Sequence, residues 1–274
     1  MMGAVIEKDR VEALKNFHAD PNEPAWLSDL RREAFLEFSE QGYPTVRQEE
    51  WKYTNVAPVI GSMTLALGRN GQGALKDPTH DERRLIELFD FQRNGFTAEN
   101  LARAELVSIV IDGERSEPIE LDSHVDDDSA HFPHRLITVK SGATATLIET
   151  YSSNASNFTN AAMQIVVEDN ARLTHYRAQK ESPDAFHYGV TEVSLGRDAS
   201  YNSTNINLGG KLSRHDIELK FTEEGGEAWV DGLYMLNGTQ HADTHSIIDH
   251  QVPNWTSHQN YKGVLNDKTR GVFN

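Results

Sequence analysis

The sequence predicts a mainly β protein: a right-handed parallel β-helix of two facing parallel sheets, about 28 residues per repeat, preceded by an α-helical region. Three observations predict it. Four segments between Leu136 and Gly232 echo one another, marked by Ala143, Ala171, Ala199 and Ala228 at spacings of 28, 28 and 29 residues. When those segments are aligned, their apolar residues fall into columns. The residues before them carry helical periodicity and a glycine-rich break instead. The boundary is set at 105, with residues 1–105 as a helical region and linker and 106–274 as the β-helix core.

A first helix is expected over Glu7–Phe17 and a stronger one from about Pro24 to Gln41. In the second, Trp26, Leu30, Ala34 and Phe38 recur every four residues, with Leu27 and Phe35 widening the stripe. Asn22 is placed to cap its start, and Gly42 followed by Pro44 stops it. The aromatic segment RQEEWKYTNVAPVI has no clear periodicity, and GRNGQGALKDPTHD reads as a loop. HDERRLIELFDF predicts a short helix, with Leu85, Ile86, Leu88 and Phe89 as its apolar residues. LVSIVIDG, from Leu106, predicts the first strand and its turn.

Within the repeats, Ile137, Ile165, Val193 and Leu219 form one column, and Val139, Val167, Leu195 and Phe221 the next. They alternate with Thr138, Val166, Ser194 and Lys220, the period of a strand with one buried face. A second strand begins at each alanine, and the expected column two residues on is Ala145, Leu173, Tyr201 and Val230. The EEGGE insertion shifts the phase of the fourth copy. Parallel stacking fixes the expected right hand; an antiparallel β-sandwich is the alternative.

The net charge of −16 argues against a nucleic-acid partner. No apolar run suits a signal peptide or a membrane span, so the expected location is cytoplasmic. The absence of cysteine excludes disulfides and thiolate ligands from this chain. His241, Asp243 and His245 alternate and would share one strand face, with Asp249 and His250 following; this is metal-ligand chemistry in type, and equally a polar face of a sheet. No metal site is favoured. HVDDDSAHFPH reads as a solvated acidic loop, and His215 and Asp216, adjacent on a strand, should point to opposite faces. Gly209-Gly210-Lys211 lacks phosphate-loop spacing and reads as a turn. No residue is assigned a catalytic role.

Two segments carry a family resemblance. Near the amino terminus, LRREAFLEFSEQGYPTVRQEEWKYTNV contains Glu49, Glu50, Trp51, Lys52, Tyr53 and Thr54; near the carboxyl terminus, ADTHSIIDHQVPNWTSHQNYKGVLNDKTRGVFN contains Tyr261, Lys262, Gly263, Gly271, Phe273 and Asn274. Together they resemble the SufB/SufD family, the SufD type above all. The resemblance implies a non-catalytic scaffold subunit for iron–sulfur cluster assembly, paired through its β-helix with a SufB-like subunit. It implies no cofactor held by this chain alone and a cluster in the assembled complex, and it leaves a flavin open. The family continues past G-V-F-N into further rungs and helices that dock the SufC ATPase. The chain is therefore expected to lack those helices and to expose an association-prone final rung. Trp255 stands where many relatives have cysteine. The competing readings are a metal-dependent enzyme using His241, Asp243, His245 and His250, and a polysaccharide-acting β-helix enzyme.

Overall fold

The computed structural model describes residue 17 and residues 20–57 and 78–274. The helix expected over Glu7–Phe17 lies outside them except for Phe17, as does most of the expected loop over residues 68–81.

Helix α1, Ala25–Gln41, starts at Pro24 without a side-chain cap. Asn22 does not cap it, contrary to expectation: its backbone and side-chain N–H groups both donate to Asp20 Oδ1. The stop is as expected, with Gly42 at φ +62° and its N–H donating to Phe38 O. The buried line of α1 is displaced from the expected stripe and runs through Leu27, Arg31 and Ala34, while Trp26, Leu30 and Phe35 are only partly covered. Arg31 is tolerated there because it pairs with Glu23 at 2.9 Å and donates to the carbonyls of Leu101 and Ala104. A 3-10 turn, Glu49–Trp51, follows. Helix α2, His80–Leu88, begins with a reciprocal Thr79–Glu82 capping box. Helix α3, Gly95–Arg103, was not anticipated; its residues 95–102 are all buried.

Strands β1 (Glu105–Ile111), β4 (Pro133–Val139), β6 (Phe158–Val167), β8 (Phe186–Leu195), β10 (Leu212–Phe221), β12 (His241–His250) and β14 (Arg270–Phe273) stack in that order as one parallel sheet, joined at β6 by the short β3 (Ala130–His131). The second parallel sheet has six strands: β2 (Ile119–Val125), β5 (Thr144–Ser153), β7 (Arg172–Lys180), β9 (Ser200–Asn207), β11 (Glu227–Leu236) and β13 (Thr256–Leu265). The chain alternates between the sheets rung by rung, which makes a parallel β-solenoid.

The register confirms both apolar columns of the first sheet: Ile137, Ile165, Val193 and Leu219 pair in succession, as do Val139, Val167, Leu195 and Phe221. The second-sheet column requires one correction. Ala145, Leu173 and Tyr201 pair as expected, but Tyr201 faces Ala228, while Val230 lies opposite Ser203. In the fourth copy Gly226, not Ala228, occupies the place of Ala143, Ala171 and Ala199, since Glu227 N–H donates to Ala199 O as Ser200 N–H does to Ala171 O. Gly226 has φ +96°, and a Cβ there would lie 2.3 Å from Ala199 O. Only glycine accommodates both the conformation and the approach.

Two cores result. One fills the space between the sheets. The other lies on the outer face of the first sheet, where Leu136, Phe158, Phe186, Tyr188 and Val190 meet Leu27, Ile86, Phe96 and Leu101 from the helices. The helical region is thus a cap over one sheet.

Candidate functional site

The two signature segments, far apart in sequence, meet on the outer face of the first sheet. Strand alternation puts Arg214 and Asp216 of β10 and Asp243 of β12 on that face, with Arg214 beside Asp243 in the ladder. The 3-10 turn lays Trp51 over them, its ring centroid 3.9 Å from the Arg214 guanidinium carbon. Arg214 donates to Glu50 O at 2.6 Å, Asp243 Oδ2 at 2.9 Å and Asp216 Oδ1 at 2.8 Å. Thr54 Oγ1 donates to Asp243 Oδ2 at 2.5 Å. Tyr188 O–H donates to Asp216 Oδ2, and Asn94 Nδ2 to the Tyr188 oxygen. Burial opposes the charge on Arg214, but Asp216 and Asp243 outweigh it and hold the guanidinium protonated. Trp51, Thr54, Arg214 and Asp243 are all buried. The joint is therefore a dry, charge-assisted clasp that locks the turn onto the solenoid. Between its two buried anchors, Lys52 and Tyr53 face solvent.

The residues singled out for metal chemistry do not converge. Asp243 is committed to Arg214 and Thr54; His241 Nε2 lies 3.3 Å from Thr54 Oγ1; His245 Nε2 lies 2.8 Å from Asn274 Nδ2; His250 Nε2 faces Ser257 Oγ at 3.0 Å. Asp249 accepts from Gln251. No group of three or more His, Cys, Asp or Glu suited to a metal ion occurs among the described residues. In HVDDDSAHFPH, Asp126, Asp127 and Asp128 are exposed, but His134 does not belong to a solvated loop: it is fully buried in β4 between Asn100 Oδ1 at 2.8 Å and Gln164 Oε1 at 3.1 Å. His215 and Asp216 do diverge, His215 toward Thr191 inside the solenoid and Asp216 toward Tyr188 outside.

The carboxyl-terminal signature is used in packing. Tyr261 stacks on Phe273 with centroids 4.3 Å apart. A Cβ on Gly232 would fall 2.1 Å from the Tyr261 ring, and one on Gly263 or Gly271 would fall 2.2 or 2.6 Å from the Tyr234 ring. The glycines make room for tyrosines. Asn274 N–H donates to Thr244 O, and Asn274 O accepts from Ser246 N–H, while Lys262 is exposed.

A second polar cluster went unread in the sequence. Between the sheets, Glu149, His175, Arg177, Glu181 and His187 are all buried. His187 Nδ1 lies 2.8 Å from Glu181 Oε2; Tyr151 O–H donates to Glu149 Oε1. Burial would raise both carboxyl groups, yet His175 and Arg177 hold Glu149 down to about 2, and His187 with Thr159 holds Glu181 down to about 2. Glu149 and Arg177 occupy the inward phase of their strands, two residues beyond Leu147 and His175; extending the column analysis that far along each strand would have found them.

The fold and site together define a parallel β-solenoid whose outer face is roofed by helices and tied down by an aromatic–arginine clasp. The family model described as "SUF system FeS cluster assembly, SufBD core domain" matches residues 122–274, and that of the "SufBD protein N-terminal region" matches residues 4–63. The chain belongs to the SufBD family of iron–sulfur cluster assembly proteins. It is similar to the SufD protein of Escherichia coli, 27% identical over 85% of this chain and 65% of that protein. A SufBD family protein of Synechocystis is 32% identical over 52% of this chain and 33% of its own length. One of Mycobacterium tuberculosis is 32% identical over 38% of this chain and 26% of its own. The chain thus spans a third to two thirds of the first two relatives.

Proposed function

We propose that this chain is a non-catalytic scaffold subunit in a SufB–SufC–SufD type assembly, pairing through its β-helix with a SufB-like subunit. The observation that carries the reading is the fate of the signature residues. Trp51, Thr54, Gly263, Gly271, Tyr261 and Phe273 are consumed in holding the cap and packing the rungs, which is the work a framework asks of its side chains. These 274 residues hold no cysteine, so any thiolate on a nascent cluster, the cargo of such an assembly, is supplied from outside them. No helix among the described residues is long and apolar enough to cross a membrane, which is compatible with the cytoplasmic location proposed for the assembly.

The test is co-purification of this chain with SufB and SufC. Retention of SufB through size exclusion is expected, and failure to retain it would sink the assignment. Metal analysis of the isolated chain separates off the enzyme reading: stoichiometric zinc or iron that disappears in His245→Ala would overturn the scaffold role.

A further inference from the structure

These 274 residues contain five methionines and no cysteine, so thioethers are the only sulfur they offer to an oxidant. The two methionines among the described residues sit in opposite surroundings. Met163, on β6, is 1% exposed and belongs to the core between the sheets, whereas Met235, on β11, is 48% exposed. Strand alternation explains the difference. Ala228 and Val230 point into that core and the Tyr234 ring packs against Gly263 and Gly271, so Met235 points outward from the second sheet, on the side of the solenoid away from the helical cap. Its surroundings there are apolar. Met235 pairs in register with Val264, which is 53% exposed, and Leu208, next after the Asn207 that pairs with Tyr234, lies on its other flank and is 43% exposed. Leu233 and Ile206 pair two residues back on the same face.

We infer that Met235 is a reversible oxidation site for hydrogen peroxide and related two-electron oxidants, placed so that one oxygen atom changes the polarity of this patch and leaves the fold intact. The sulfur attacks one peroxide oxygen: an S–O bond forms, the O–O bond breaks, and the departing hydroxide takes the proton of the transferred oxygen and leaves as water. The thioether loses two electrons to become the sulfoxide, and the peroxide gains them. Access favours Met235, because the oxidant must reach the sulfur and Met163 is closed to it. Consequence favours it too. On an outward side chain the new oxygen meets water, and the ladder bonds that hold β11 to β9 and β13 are backbone bonds that it does not touch. The same oxygen on Met163 would be a buried acceptor without a donor. Of the five side chains in the patch, only the thioether has this chemistry.

Hydrogen peroxide treatment of the whole chain, followed by peptide mass mapping over time, tests the site, and retention on a hydrophobic-interaction column tests its effect. Expected are an added oxygen at Met235 on the order of tenfold sooner than at Met163, earlier elution of the oxidised protein, and recovery of mass and retention after treatment with the two methionine sulfoxide reductases, one for each epimer. Met235→Leu keeps an apolar side chain of similar volume. Oxidised alongside the wild type, it should show the smaller elution shift, which separates Met235 from the remaining methionines. Oxidation of Met235 no faster than that of Met163 would overturn the site, as would equal elution shifts in the two proteins. Loss of the β circular dichroism signal as Met235 is oxidised, or a sulfoxide that the reductases leave in place, would make the change damage and overturn its reversibility.

Discussion

Arg214 holds four partners at once: the Trp51 ring and Glu50 O from the cap, Asp243 from the next rung and Asp216 from its own strand. Removing it takes the guanidinium away from two buried carboxylates, Asp243 and Asp216. Arg214→Met should therefore cost about 3–5 kcal/mol, the usual penalty for breaking a buried pair, read as a fall in the urea midpoint. Adding Asp243→Asn should restore part of the loss, because the uncompensated charge is then removed. Two single losses that simply add would show that the three groups do not act as one unit. His134 shows a different economy: the NH₂ groups of Asn100 and Gln164 are occupied by the carbonyls of Pro133, Asn160 and Leu85, so both amides present oxygen to the ring. Burial nevertheless pushes His134 down to about 4, which keeps it neutral and donating to one of them.

Among the elements, β11 and β13 depend on an exchange of volume, with Gly232 leaving the space that the Tyr261 ring fills. Gly232→Ala should destabilise by about 1–3 kcal/mol through overpacking. In Gly232→Ala/Tyr261→Ala the clash is gone, and the double variant should lose less than the sum of the singles by at least about 0.5 kcal/mol. Thermal or urea melts of the four proteins give the coupling. The solenoid was legible in sequence because stacked rungs repeat the same inward phase, so Ile137 through Leu219 announced themselves as a column. The phase error at Val230 arose because a turn one residue longer exchanges glycine for alanine without changing the look of the repeat. Helix α3 was missed because it is short and buries the polar Thr97, Glu99 and Asn100 along with Phe96 and Leu101, so its residue types do not announce its burial. Its signal was the cap instead: Asn94 Oδ1 accepts from the N–H groups of Phe96 and Thr97, and Thr97 Oγ1 accepts from Asn94 N–H. The clasp was illegible since nothing local relates Trp51 to Arg214; they meet only because the 3-10 turn lies across β10.

For the whole molecule, buried ionisable groups of opposite tendency should give stability an unusual dependence on pH. Burial, with the repulsion of Glu218, outweighs Arg93 and pushes Glu192 up to about 7; burial likewise raises Glu99 to about 7 against Tyr43 and Arg103. Their folded values lie above the unfolded ones, so the folded state binds their protons first and stability rises as pH falls from about 7 toward about 4.5. Buried His134, His187 and His215 act oppositely, because burial depresses all three. The unfolded chain binds their protons first below about 6.5, and stability falls. The two effects oppose each other through the mildly acidic range. Below about 4.5 the first is exhausted, while His134 still loses and Glu149 and Glu181, held at about 2, begin to lose as the unfolded carboxylates protonate. The expected profile is a plateau between about pH 7 and 5, then a steep fall. Urea unfolding across pH 3–8 measures it, and Glu192→Gln separates its parts. That variant leaves Arg93 paired with Glu218, so it should raise stability at pH 8 by on the order of 2 kcal/mol and turn the plateau into a descent that starts near pH 6.5. A wild-type curve already falling steadily from pH 7, matched by Glu192→Gln, would show that Glu192 does not set the balance.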